Sequence, residues 1–126
     1  MRLPENDEIY LNNKGYQWQL IPGGSEAFLV INEFPLAAEI FDRGNTDLMI
    51  RIPAQYNMAG LDMYYVAPEI KLKATGAYPQ AADHFETHCD RRWQRFSRHL
   101  TTAWRAGVDG LPMYLALIQK ELQAKN

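Results

Sequence analysis

The hydrophobic period changes once along this chain, and that change limits what it can fold into. Over residues 47–52, Leu48, Ile50 and Ile52 alternate with Asp47, Met49 and Arg51, the two-residue period of a half-buried strand. From residue 111 onward, Leu111, Tyr114, Leu115, Ile118 and Leu122 fall in one narrow stripe at about 100° per residue, which predicts a helix with Asp109 as its N-cap. Strand-like runs also cover residues 16–21, 27–31 and 62–66. The first two are joined across Pro22, Gly23, Gly24 and Ser25, a turn composition, and the last follows a turn around residues 57–60. Pro35, Pro53 and Pro68 stand where strands should end, because proline cannot donate to a ladder. Four strands in succession predict an antiparallel meander. Before the last helix, Trp93, Phe96, Leu100 and Trp104 share a helical face with Arg91, Arg95 and Arg98 opposite, so a further helix is expected there, with its continuity through Thr101, Thr102 and Gly107 open. Strands followed by helices give an α+β domain with C-terminal helices packed on one face of the sheet.

The 126 residues, 47% of them apolar, suit one domain over residues 1–126, since folding should leave roughly 6,900 Å² of surface. Residues 1–47 hold three basic and eight acidic side chains, a balance of −5, and residues 48–126 hold ten and seven, or +3. That polarity is too mild for a nucleic-acid tail, and the arginines of residues 91–105 read as a solvated face, so no nucleic-acid partner is expected. No apolar run approaches the roughly 20 residues needed to cross a bilayer, so no membrane partner is expected either. The single cysteine, Cys89, excludes an intramolecular disulfide, and the start MRLPENDEIY has neither the basic flank nor the apolar stretch of a signal peptide. A reducing cytoplasm is the expected setting.

The segment FDRGNTDLMIRIP, residues 41–53, aligns without a gap on the pattern YxGGxxxLxIxFP of ubiquitin-conjugating enzymes through Phe41, Gly44, Leu48, Ile50 and Pro53. The next family element, PxxYPxxPPxVxF, is met by Pro53, Tyr56, Met63 and Tyr65, with Asn57, Gly60 and Leu61 where the family has prolines. WRAGVDGLPMYLALIQKEL resembles the family's WxPxxxLxxxLxxIxxLL segment through Trp104, Leu111, Leu115 and Ile118. Together with YPQAAD and WQRFSRH, these segments make the chain similar to the bacterial branch of that superfamily, prokaryotic ubiquitin-conjugating family E. The resemblance implies the ubiquitin-conjugating-enzyme-like fold, but a start with Pro4 and the strand-like DEIYL predicts that the family's usual N-terminal helix is missing.

The resemblance also implies acyl carriage: a ubiquitin-like modifier is taken from an activating enzyme as a cysteine thioester and passed to an amine. Cys89 is then the nucleophile, and Gln80, nine residues earlier, stands near the place of the family's asparagine as an oxyanion donor. His84 and His88 are candidates to assist the thiol, and Asp83, Glu86 or Asp90 to orient or deprotonate an incoming lysine. Cys89 precedes Trp104 by fifteen residues where the family has about eight, so an insertion around the arginines is assumed. The partners implied are the modifier and its activating enzyme, and a modifier operon connected with antiviral defence is implied by the family alone. No cofactor is implied. A non-catalytic binding module of the same fold is the alternative. If the Trp93 helix extends upstream, Cys89 falls on its apolar face as an inert buried thiol. In DHFETHC, His84 and His88 at i and i+4 could chelate zinc from a helix, with Asp83, Cys89 or His99 as further ligands, but HExxH is absent and no metal is assigned.

Overall fold

The computed structural model describes residues 2–100 and 103–123, so the question of a helix running through Thr101 and Thr102 lies outside the described residues. In chain order the elements are α1 (Glu5–Asn13), β1 (Gln17–Pro22), β2 (Glu26–Pro35), β3 (Asn45–Pro53), β4 (Tyr64–Ala67), β5 (His84–His88), β6 (Arg91–Phe96) and α2 (Leu111–Leu122). One antiparallel sheet contains all six strands in the order β1-β2-β3-β4-β6-β5. The meander is therefore as expected through β4, but the sheet has six strands, not four.

Three features differ from the sequence expectation. The stretch around Trp93 is a strand, not a helix, because β6 lies between two neighbours and is covered on both faces: Trp93 is buried on one side, Gln94 and Phe96 on the other. Covering both faces erases the two-residue period and leaves a three-residue spacing that imitates a helix. Arg91 and Arg95 consequently project from a sheet face, and α2 is the single helix described after the strands. An N-terminal helix is present. Pro4 occupies the N-cap of α1, and Glu5, Asp7 and Glu8 place negative charge in its first turn, where the backbone dipole favours it. The helix ends in a Schellman motif, with Tyr16 N–H donating to Leu11 O at 3.2 Å, Gly15 N–H to Asn12 O at 3.0 Å, and Gly15 in the left-handed region at φ 73°.

The alternate residues of the strands divide the apolar side chains between two cores. Leu29, Ile31, Leu48, Ile50, Ile52, Tyr64, Val66 and Phe96 face the helices, where Leu3 and Leu11 of the N-terminal segment and the α2 stripe close over them. The α2 stripe is the one the sequence predicts, Leu111, Tyr114, Leu115, Ile118 and Leu122. Phe28, Val30, Met49, Tyr65, Ala67 and Trp93 form a smaller core on the opposite, outer face.

The N-cap of α2 is Gly110, not Asp109. The Asp109 carboxylate instead accepts from Arg105, through its backbone N–H at 2.8 Å and its guanidinium at 2.8 and 3.0 Å, closing the loop before the helix. The first turn of α2 is satisfied from elsewhere in the chain. Leu111 N–H donates to the Tyr56 hydroxyl at 2.7 Å, and that hydroxyl donates to Asp7 Oδ2 of α1 at 2.6 Å. Burial raises the Asp7 carboxyl above its ordinary value, and the Tyr56 bond only partly opposes this. An acid with a raised folded pKa stabilises the fold most below its unfolded value, and that contribution is lost as pH rises through the folded value. Asp7→Asn should remove this dependence, so that its melting temperature relative to the parent rises between pH 4 and pH 7. A difference that stays flat over that window would refute the assignment.

Candidate functional site

The β5–β6 hairpin closes with two residues, Cys89 and Asp90, between the paired residues His88 and Arg91. Both loop residues have positive φ, 55° and 57°, the type I′ turn whose twist matches the strands it joins. Asn-Gly is the favoured pair for this turn, so holding Cys-Asp there stores backbone strain. Cys89 is exposed, which removes the expectation of a thiol sealed on the apolar face of a helix.

The hairpin tip leans back over the outer face of the sheet. The His88 ring lies 5.5 Å from Phe28 of β2 and 5.4 Å, edge-on, from Tyr65 of β4. Trp93 anchors the tip by donating its indole N–H to His88 O at 3.0 Å, while the Arg91 guanidinium sits 4.7 Å from its ring centre. Arg91 itself is held by Asp47 at 2.9 Å and Ala67 O at 2.8 Å.

Glu86 is the hub of the polar groups gathered beside the tip. Its carboxylate accepts from Arg95 at 2.8 Å and from the Tyr65 hydroxyl at 3.3 Å, and meets His88 Nε2 at 2.8 Å. Burial alone would raise the Glu86 carboxyl, but the His88 and Arg95 bonds outweigh it and hold the group below the usual carboxylate range. An ionised Glu86 can only accept, so His88 Nε2 carries the hydrogen and a neutral ring leaves Nδ1 as its acceptor. A second pair lies across the sheet, where Arg51 of β3 makes a two-point bond to Glu26 of β2 at 2.9 and 3.0 Å. Partial desolvation, then the charges of Asp90 and Glu26, push the Cys89 thiol above its ordinary value. Glu26→Gln should therefore lower the pH midpoint of Cys89 alkylation by iodoacetamide, with Asp90→Asn acting in the same direction. An unchanged midpoint in both variants would exclude this electrostatic account.

The other residues singled out from the sequence lie along or beyond β5. Gln80 is exposed in the turn before the hairpin, whose Ala81 O accepts from Ser97 N–H at 3.1 Å. Asp83 directly precedes β5. The five residues of β5 put Asp83 six steps from Cys89, roughly 20 Å at about 3.4 Å each, so Gln80 and Asp83 stand at the opposite end of the hairpin from the thiol. His84 is exposed, its Nε2 3.9 Å from Glu86. Because His84 and His88 sit on a strand, the helical chelate does not form, and among the described residues no three His, Cys, Asp or Glu side chains gather as a metal site. The place of Tyr65, Arg95, Glu26 and Arg51 in this polar cluster is not legible in the sequence, because only the sheet register brings them to this face. Residues 91–96 carry no two-residue period that could have revealed β6, because both of its faces are covered.

The family model for prokaryotic E2 family E matches residues 3–125. The chain belongs to that family. The match covers the N-terminal helix, the sheet, the hairpin and α2 of this E2-family protein. No curated protein and no solved structure gives a match. Membership gives the chain a ubiquitin-conjugating-like role, and among its described residues no helix is long and apolar enough to cross a membrane.

Proposed function

We propose that this chain carries the C-terminal acyl group of a ubiquitin-like modifier as a thioester on Cys89 and transfers it to an amine. The observation that carries this reading is the exposure of the sole thiol in the hairpin turn, next in sequence to the Glu86–His88 pair. In loading, the Cys89 thiolate attacks the carbonyl carbon of the modifier's thioester on the activating enzyme. A new S–C bond forms, the old one breaks, and the activating enzyme leaves as thiolate. In transfer, an amine attacks the same carbon, the C–N bond forms, the Cys89 S–C bond breaks, and the amine's proton passes to the His88–Glu86 pair or to water. The raised thiol pKa slows spontaneous loss of the acyl group, because a more basic thiolate leaves less readily.

Incubation with a cognate activating enzyme, ATP and modifier should give a thiol-sensitive adduct. Cys89→Ser should replace it with a thiol-resistant ester or none, and a thiol-sensitive adduct persisting in that variant would exclude Cys89 as the carrier. A second reading, a binding module of the same fold without covalent chemistry, is favoured by the placement of Gln80 away from the thiol. It requires non-covalent binding of the modifier or the activating enzyme with no adduct under the same conditions.

A further inference from the structure

The strand order leaves β5 at one edge of the sheet, paired only with β6. The register identifies which of its backbone groups are free. His88 and Arg91 flank a two-residue turn and so exchange both hydrogen bonds, as do Glu86 and Trp93 two residues further on. Phe85 and Thr87 occupy the intervening pairs, so their N–H and C=O groups point outward, away from β6. Among the described residues no hydrogen bond reaches those four groups. Edges are commonly blunted by lysine, proline or a covering loop, and β5, HFETH, has neither lysine nor proline. This open edge runs directly into Cys89.

We propose that the edge of β5 receives the extended C-terminal tail of the modifier as a seventh strand, parallel to β5, which delivers the tail's terminal carbonyl to Cys89. This deepens the carriage reading and rests on it. Alternating donors and acceptors at 3.3–3.4 Å per residue are complementary to an extended backbone and to little else. Direction follows from the chemistry: the carboxyl end must finish at residue 89, so the tail runs the same way as His84 to His88. In a parallel ladder, Phe85 and Thr87 together bond about five tail residues through four hydrogen bonds, and the next one or two residues reach the turn.

The test uses the intact chain with a synthetic peptide, Ser-Thr-Val-Ser-Gly-Gly-cysteamine, attached to Cys89 as a mixed disulfide, which holds the peptide at millimolar effective concentration. Amide hydrogen exchange is read by NMR at Phe85 and Thr87. Both amides should exchange at least about tenfold more slowly with the peptide attached, and a peptide methylated at every backbone nitrogen should not slow them. Equal exchange with both peptides would overturn the proposal. So would slow, concentration-dependent exchange in the free protein, which would assign the edge to a second copy of this chain. The charging reaction is run separately on the parent and on Thr87→Pro, whose lost N–H faces outward, so the ladder to β6 keeps its bonds. Loading of Thr87→Pro should slow at least about tenfold, with the exchange of β6 amides unchanged. A parent that charges while its tethered amides stay fast overturns the edge proposal alone. A parent that does not charge, with slowed amides, overturns carriage and leaves the edge as a peptide-binding site.

Discussion

Replacing Gln94 by leucine is expected to lower the unfolding free energy by about 3–5 kcal/mol, given about 1–3 kcal/mol for each buried polar group left without a partner. The Gln94 side chain is buried at 1% exposure and acts as a three-point clamp. Its oxygen accepts from Ile70 N–H at 2.8 Å, and its amide donates to Ile70 O at 3.0 Å and to Ala82 O at 2.8 Å. Ile70 and Ala82 are both fully buried, so water cannot replace the lost bonds without the loop opening. Leucine has nearly the right volume, which confines the loss to hydrogen bonding. Urea denaturation measures it, and a loss below about 1 kcal/mol would mean that the residue 68–83 loop is not held by this clamp. Because that loop leads into β5, the same variant should loosen the start of the hairpin.

Trp93→Ala is expected to cost a similar amount, about 3–5 kcal/mol for an aromatic side chain removed from a packed site. Trp93 is 1% exposed and is the largest member of the outer core with Phe28, Val30, Met49 and Tyr65. Its removal also deletes the indole bond to His88 O, which holds the tip over the sheet. The substitution should therefore act on the thiol as well. With the tip released, Cys89 loses its partial desolvation and the nearby Glu26 charge, and its alkylation midpoint should fall toward the ordinary thiol value of about 8.5. Phe96→Ala, which empties the helix-side core instead, provides the comparison: similar destabilisation with little change at Cys89. A midpoint equally unchanged in both variants would separate the thiol from the outer core.

The strands between Gln17 and Ala67 were legible because each either alternates or is bounded by proline and glycine, and α2 because its stripe covers a single core. The antiparallel order followed from chain succession alone. The N-terminal helix was not legible, because only Asp7 and Leu11 of its nine residues are buried and its other side chains give no apolar stripe. Its readable sign was the Lys-Gly pair at residues 14 and 15, which is the C-terminal stop. In β6, Trp93 and Phe96 serve opposite faces, so their spacing looked helical. The thiol at residue 89 stands out by its uniqueness and the family resemblance, whereas the side chains around the adjoining Glu86 and His88, namely Tyr65, Arg95 and Phe28, come from three other strands. Only register could place them together. Gln80 looked close because nine residues of sequence separate it from Cys89, and an extended strand turns that short interval into distance.

The seam between β4 and β6 carries a consequence for the chain during its synthesis. Tyr64, Tyr65, Val66 and Ala67 are all buried in the finished fold, and one edge of β4 is covered only by three residue pairs to β6. Roughly 30 residues must follow Ala67 before β6 is complete at Phe96, so at about 5–20 residues per second that edge stays bare for about 2–6 s while the hairpin is being made. In that interval it is open to pairing with other nascent chains. The hairpin that presents Cys89 is thus also the segment that covers this edge during biogenesis, and changes that delay its docking should reduce soluble yield before they reduce activity.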